Sequence, residues 1–187
     1  MGGVFNYVNL HVYHYAGNNP VVYRDPDGKE IRVQIHRAFH ITPFYHASIR
    51  ITLDNPILTN AFQNDERVVT ETTGWRTDNN GNLYITIGGE AIGGLLHGII
   101  NRGTDVQEAN KNGFYLITGV DEITAIEGIL RSYVSYNNDL NYDLFPGLGD
   151  GYNSNSYISG ILNNAGLPRY DFEKKNMPGW DKPIPIP

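Results

Sequence analysis

Short runs of alternating apolar and polar residues are the feature that most constrains the fold of this chain. Alternation puts every second side chain on one face, which is the pattern of a half-buried β-strand. Residues 47–53 give the clearest run, and residues 31–35 follow the same pattern. We predict further strands at residues 67–73, 83–87 and 114–118, with a hairpin loop at residues 78–82.

Two segments in the C-terminal half have apolar residues at helical spacing instead. One helix is predicted from residue 121 to about 136 and another over residues 156–165, where Gly166 and Pro168 give a stop signal. The predicted apolar faces consist of Ile123, Ile126, Leu130, Tyr133 and Val134 in the first helix and Tyr157, Ile158, Ile161, Leu162 and Ala165 in the second. The pattern therefore predicts an α+β fold, an antiparallel sheet with two main helices.

Glycine and proline predict the remaining local structure. The apolar segment between Gly88-Gly89 and Gly93-Gly94 is interpreted as a short helix or a close-packed loop. Prolines alternate with other residues over positions 182–187, and because proline lacks a backbone donor we predict an extended tail there.

Charge and composition exclude several classes of function. The net charge is -6 and the basic residues form no stripe, so a nucleic-acid partner is not expected. The chain has no cysteine, which excludes disulfides and thiolate zinc sites. No stretch approaches 18 consecutive apolar residues, so no membrane span is predicted.

Residues 9–28 contain two strand-like runs, each followed by a turn rich in Gly, Asn, Asp and Pro. Their order resembles the closing repeat of RHS/YD-repeat proteins, on the residues Asn9-Leu10-His11-Val12-Tyr13, Asn18-Asn19-Pro20 and Asp25-Pro26-Asp27-Gly28. The resemblance implies a terminal repeat segment at residues 1–30 and a C-terminal effector-like domain at residues 31–187. It further implies a bacterial toxin within a larger secreted or cell-surface protein, with an immunity protein as a partner.

Two local patterns have the residue types of a catalytic site. Ser154, between Asn153 and Asn155, immediately precedes the second predicted helix, where the dipole and free N–H groups favour developing negative charge. His46 begins a predicted strand, which is a rigid platform for an imidazole. The plain alternative is that one of residues 153–155 is an ordinary helix cap and that His46 is a boundary residue.

Both patterns resemble the circularly permuted papain-like proteins, which include NlpC/P60-related enzymes. The strand beginning His46-Ala47-Ser48-Ile49-Arg50-Ile51 is similar to their histidine strand, and Asn153-Ser154-Asn155-Ser156-Tyr157 is similar to their nucleophile motif. The resemblance implies a papain-like hydrolase or acyl/amide transferase that cleaves peptide, isopeptide or ester bonds in a protein or peptidoglycan-like substrate. The departure is Ser154 in place of cysteine, because serine must lose its proton as it attacks.

A third group is expected to orient the imidazole, and Glu71 and Thr86 are the candidates. Asn153 or Asn155 is the candidate helper of the Ser154 amide in binding an oxyanion. No cofactor is predicted. The alternative set His36, His40 and His46 lacks a helical metal-binding spacing, so no metal site is predicted either.

The alternative function is a non-catalytic binding or structural module of an RHS-repeat protein. It predicts that His46 and Ser154 do not meet, or that Tyr45 or Tyr152 fills the site. A metal-dependent nuclease is a third hypothesis, which the absence of a basic patch disfavours.

Overall fold

The computed structural model describes residues 29–38, 43–53, 74–107, 112–170, 172 and 175–187. Within them lie strands β1 (Lys29–Arg37), β2 (Tyr45–Leu53), β3 (Arg76–Thr77), β4 (Leu83–Ile92), β5 (Leu95–Ile100) and β6 (Phe114–Leu116), and helices α1 (Gly103–Gln107), α2 (Glu122–Ser135) and α3 (Ser154–Asn164). The repeat-like segment at residues 9–28, the predicted strand at 67–73, His40 and Glu71 lie outside these residues.

The strands form an open antiparallel sheet in the order β3-β4-β2-β1-β6, and β5 pairs with β4. β1 and β2 are in register along their whole length, so that His36 lies opposite His46. The pairing of β2 with β4 stops at Ile49 and Ile87, and from Ile87 onward β4 pairs with β5 along its other edge. The first residues of β2 therefore have no strand neighbour on the β4 side.

The α+β class and the antiparallel sheet are confirmed, whereas the interpretation of the glycine-rich segment is wrong. β4 runs on to Ile92, and Gly93 and Gly94 turn the chain directly into β5. Both glycines have positive φ, +59° and +84°, which suits the tight two-residue turn of a β-hairpin. Because Gly88 and Gly89 lack side chains, they obscure the alternation that marks a strand. The short α1 was not predicted.

The two longer helices supply much of the apolar core. Val33, Ile49 and Ile87 of the sheet are fully buried, as are Ile126 of α2 and Ile161 of α3. The apolar face predicted for α3 is buried from Tyr157 to Leu162.

The predicted apolar face of α2 is only partly right. Ile123 and Val134 are each 38% exposed, and Ala125 and Ile129 are buried instead. The helix turns Gly128 towards α3, where an added Cβ would be 3.2 Å from the Cβ of Ala165. This close approach rotates the buried face away from the one that hydrophobicity alone predicts.

The C-terminal segment, residues 175–187, has no helix or strand; residues 178–181 form turns, and residues 183–187 of the predicted extended tail lack regular structure. It is nevertheless docked, because Ile184 is buried and its backbone N–H donates to the Ser156 carbonyl at 3.1 Å. Gly160 of α3 lies so close that an added Cβ would be 2.8 Å from the Ile184 carbonyl oxygen. This segment is thus part of the support of α3.

None of the helices in the described part of the chain is long and apolar enough to cross a membrane.

Candidate active site

Asn153 caps α3 and so decides where the helix begins. Its backbone is extended (φ -131°, ψ -174°), and its Oδ1 accepts the N–H groups of Asn155 at 3.0 Å and Ser156 at 3.1 Å. Its Nδ2 donates to the Pro178 carbonyl at 2.8 Å. The prediction that one of residues 153–155 is the cap is confirmed, and Ser154 becomes the first residue of the helix.

Asn155 joins α3 to the unpaired start of β2. Its Oδ1 accepts the Ala47 N–H at 2.9 Å, and its Nδ2 donates to the Tyr45 carbonyl at 2.9 Å and to the Pro178 carbonyl at 3.1 Å. These bonds flank His46 and hold its backbone against the helix start. Because both amide hydrogens are used, Asn155 braces the site and is not placed to donate to an oxyanion as predicted.

His46 connects a hydroxyl to a carboxylate. Its Nδ1 lies 2.6 Å from Ser154 Oγ, and its Nε2 lies 2.9 Å from Asp105 Oδ1. His46 is 4% exposed and Asp105 is 0% exposed. When Nε2, which faces the carboxylate, carries the ring proton, Nδ1 presents its lone pair to the serine hydroxyl. The order hydroxyl, imidazole, carboxylate is that of a Ser-His-Asp triad, but the two ring nitrogens are exchanged, because in the standard triad Nε2 faces the serine and Nδ1 the aspartate.

Asp105 and Ser154 approach from opposite faces of the sheet, beside the glycine pair of β4. A Cβ added to Gly88 would overlap the Asp105 carboxylate, and one added to Gly89 would be 2.9 Å from Ser154 Cα. Successive residues of a strand face opposite sides of the sheet, so Asp105 and Ser154 reach His46 from opposite faces of β4. Only residues without a side chain leave room for both.

Two polar side chains fix α1, which supplies Asp105. Asn101 has positive φ (52°); its N–H donates to the Thr86 carbonyl at 2.7 Å, and its Oδ1 accepts the Thr86 N–H at 2.9 Å. Gln34 of β1 donates from Nε2 to the Asp105 carbonyl at 2.8 Å. The backbone of α1 is therefore held by β4 and β1 together, which positions the Asp105 side chain.

The third group of the site was missed by the sequence analysis. Glu71 lies outside the described residues. Thr86 lies opposite Arg50 in the sheet and bonds through its backbone to Asn101, while Asp105 takes the position at His46 Nε2. The available signal was the polar Asn-Arg-Gly-Thr-Asp sequence directly after the apolar strand β5.

A second imidazole faces the same carboxylate. His36 Nε2 lies 3.7 Å from Asp105 Oδ1, and the rings of His36 and His46 are 4.8 Å apart. His36, His46 and Asp105 are all buried, and each offers a ligand atom within 4.8 Å of the others. Of the three histidines considered from sequence, two are brought together here, and His40 lies outside the described residues.

A pocket of about 520 Å³ opens over Ser154 and His46. One wall is aromatic, with Phe44 and Phe145 packed edge to face at 5.2 Å. Arg102 supplies positive charge: its Nε is 3.3 Å from a Glu90 carboxylate oxygen, and its guanidinium is 3.4 Å from His46 Nε2. The pocket therefore combines apolar surface with an ion pair beside the triad.

Comparison with known protein families, with curated proteins and with solved structures finds no match to this chain. The resemblances to RHS/YD-repeat and papain-like proteins consequently depend on sequence motifs alone.

Proposed function

We propose that this protein is a serine hydrolase or acyl/amide transferase that acts on peptide, isopeptide or ester bonds. Ser154 is the nucleophile, His46 the general base and Asp105 the orienting carboxylate. The observation that carries the proposal is the unbroken series of contacts from Ser154 Oγ to His46 Nδ1 at 2.6 Å and from His46 Nε2 to Asp105 Oδ1 at 2.9 Å. Each contact is within the reach that proton transfer requires.

In the first half of the reaction, Ser154 Oγ bonds to the substrate carbonyl carbon while its proton passes to His46 Nδ1. Asp105, whose Oδ1 lies 2.9 Å from Nε2, stabilises the imidazolium. The imidazolium then protonates the departing amine or alkoxide as the scissile bond breaks. In the second half, water or an acceptor amine or hydroxyl gives its proton to His46 and displaces Ser154, which regains its own.

The start of α3 supports an oxyanion site at the Ser154 backbone N–H. Asn153 Oδ1 uses the N–H groups of Asn155 and Ser156, and the Asn153 carbonyl accepts the Tyr157 N–H at 2.9 Å. The Ser154 N–H lies in the first turn, where helical N–H groups have no intrahelical acceptor. It is thus the donor left for charge that develops on the substrate oxygen.

The wider context is also part of the proposal. The order of a histidine strand before a nucleophile helix supports the permuted papain-like kind of fold, in which Ser154 replaces cysteine. The repeat-like residues 9–28 support an RHS-associated effector or toxin, secreted or exposed on a cell as part of a larger protein. The pocket's aromatic wall suits an apolar part of a protein or peptidoglycan-like substrate.

A fluorophosphonate probe tests the mechanism without knowledge of the substrate. We expect Ser154 Oγ to displace fluoride from phosphorus and to be recovered by mass spectrometry as the phosphonylated residue. Ser154→Ala should lose the adduct and all hydrolysis of small ester substrates. Ser135→Ala is the matched control, since Ser135 ends α2 and does not line the pocket. A folded wild-type chain that is never labelled would reject the proposal in favour of the non-catalytic binding module.

A further inference from the structure

Asp105 is shared by two imidazoles, although a triad needs only one. Its Oδ1 lies 2.9 Å from His46 Nε2 and 3.7 Å from His36 Nε2. Neither Oδ1 nor Oδ2 has a hydrogen-bond partner among the described residues, although the side chain is fully buried. A buried carboxylate oxygen without a partner is costly, and a cation is one of the groups that satisfies it.

The spacing of these atoms fits a small metal ion. Ligands that lie about 2.0–2.1 Å from a tetrahedral Zn²⁺ are separated from one another by roughly 3.3 Å. The two observed separations, 2.9 and 3.7 Å, lie on either side of that value. The third separation, between the ligand nitrogens of His36 and His46, is bounded only by 4.8 Å, so metal binding would draw the two rings together.

The donor set selects the class of ion. Two imidazole nitrogens and one carboxylate suit zinc and its first-row neighbours, whereas Mg²⁺ and Ca²⁺ prefer ligand sets made of oxygen. We propose that His36, His46 and Asp105 bind a divalent transition-metal ion such as Zn²⁺, and that this ion switches off Ser154.

This metal switch of Ser154 follows from the chemistry of the His46 ring, and it rests on the proposed function. A metal at His46 Nε2 uses that nitrogen's lone pair, so the ring proton must reside on Nδ1. Nδ1 then donates to Ser154 Oγ, 2.6 Å away, and can no longer accept the serine proton. The metal-bound protein therefore has Ser154 as an outer hydrogen-bond partner of a metal ligand and has no general base.

Arg102 opposes metal binding. Its guanidinium lies 3.4 Å from His46 Nε2, so a dication there is repelled unless the side chain moves. Arg102 is 29% exposed and already paired with Glu90, which gives it a solvated alternative position. We accordingly expect Arg102→Gln to bind Zn²⁺ more tightly than the wild-type chain.

Calorimetry on the chelator-treated full chain tests the metal site. Zn²⁺ should bind once per chain, and Mg²⁺ should not bind. Ser154→Ala should keep the site, because Ser154 is not a ligand. His36→Gln should weaken binding by at least the roughly 10–100-fold that loss of an outer-shell partner costs. Absence of Zn²⁺ binding by the wild-type chain, or equal binding by His36→Gln, would overturn the proposal.

A spectroscopic probe covers the case in which His36→Gln does not fold. Co²⁺ added to the wild-type chain should give the intense visible absorption of four-coordinate cobalt, and excess Zn²⁺ should remove it. Weak absorption typical of six-coordinate cobalt would contradict a site of this geometry.

Labelling separates this proposal from the function on which it rests. Fluorophosphonate should label the metal-free chain, and stoichiometric Zn²⁺ should suppress labelling until a chelator restores it. Zn²⁺ that binds without slowing the labelling would overturn the switch. A metal-free chain that is never labelled would contradict the proposed function, while calorimetry and cobalt absorption would still decide the metal site.

Discussion

At the scale of single residues, the site depends on what surrounds the His46 ring. One ring nitrogen contacts Ser154, the other contacts Asp105, and Asn155 holds the backbone on both sides of the histidine. These neighbours act on different properties of the imidazole: its proton-accepting atom, its tautomer and its position. Their substitution should therefore have separable effects.

Asp105→Asn should change the tautomer of the His46 ring, while the side chain at position 105 keeps nearly the same volume. An amide that donates to Nε2 would force the ring proton onto Nδ1, so the ring could not accept the proton of Ser154. We expect the rate of fluorophosphonate labelling to fall by a factor on the order of 10⁴, as for the same change in a well-studied triad. The melting temperature should change little, because the substitution removes a buried charge. An unchanged labelling rate would exclude an orienting role for Asp105.

Sequence reasoning could find Ser154 and His46 because each lies in a local pattern, a polar helix start and the beginning of an alternating strand. It missed Asp105, for which the polar segment after β5 was only a weak signal. That residue is in a five-residue helix with no apolar periodicity, and its partner His46 is distant in sequence and joined to it only by the sheet. Glu71 was considered because it lies in a predicted strand. A strand prediction does not say which strands are neighbours in the sheet, so it could not place Glu71 beside His46.

At the scale of elements, β4 is the strand on which the site is arranged. It pairs with β2 over its first half and with β5 over its second, and its glycine pair lies where the two pairings meet. Asp105 and Ser154 occupy the space that side chains at positions 88 and 89 would fill. The strands and helices themselves were predictable from periodicity, but this junction was not. Glycine has no side chain whose polarity could indicate which face of the strand is buried.

Gly88→Ala should damage the site more than the fold. The added Cβ would overlap the Asp105 carboxylate and push it away from His46. We expect a loss of about 1–3 kcal/mol in the free energy of unfolding, as for other overpacked sites, together with a large fall in labelling rate. Gly147→Ala is the control, since a Cβ there would meet no described atom within 4 Å. Wild-type labelling by a folded Gly88→Ala chain would contradict the proposed position of Asp105.

The end of α2 should make stability sensitive to alkaline pH. Burial raises the pKa of Tyr136 to about 12, and its hydroxyl donates to the Leu96 carbonyl at 2.8 Å. An unfolded tyrosine loses its proton near pH 10, so between about pH 10 and 12 the unfolded chain binds fewer protons than the folded one. Stability is therefore full below pH 10 and falls as pH rises through this window.

Urea unfolding at a series of pH values checks this expectation. Tyr136→Phe should cost about 1 kcal/mol near pH 8, for the lost hydrogen bond, and should lose less stability than wild type between pH 10 and 12. Parallel curves for the two proteins would show that Tyr136 does not contribute to the alkaline transition.

At the scale of the whole molecule, the site joins three distant parts of the chain through long-range packing. Residues 46, 105 and 154 come from a strand and two helices, and the C-terminal segment supports the last of them. Local patterns predicted the class of fold, but the docking of the tail depends on tertiary contacts of Trp180 and Ile184. Proline content predicted its extended form and gave no indication of its burial.

Ile184→Ala should measure how much the docked tail contributes. Ile184 is 4% exposed and packs against Gly160, so truncation leaves a cavity beside α3. We expect the free energy of unfolding to fall by about 2–4 kcal/mol in a denaturant titration. Pro185→Ala, at the exposed neighbouring position, should have a much smaller effect. Equal effects of the two substitutions would contradict the buried position of Ile184.

The support of α3 by the C-terminal segment also sets the order in which the site can form during translation. The Pro178 carbonyl accepts hydrogen bonds from Asn153 and Asn155, and Ile184 bonds to Ser156. At a synthesis rate of about 5–20 residues per second, Ile184 is added roughly 2–6 s after Ser154. A nascent chain therefore contains Ser154 before it contains the groups that hold it against His46, and the contact between the two side chains lacks this support until residues 178–184 have emerged.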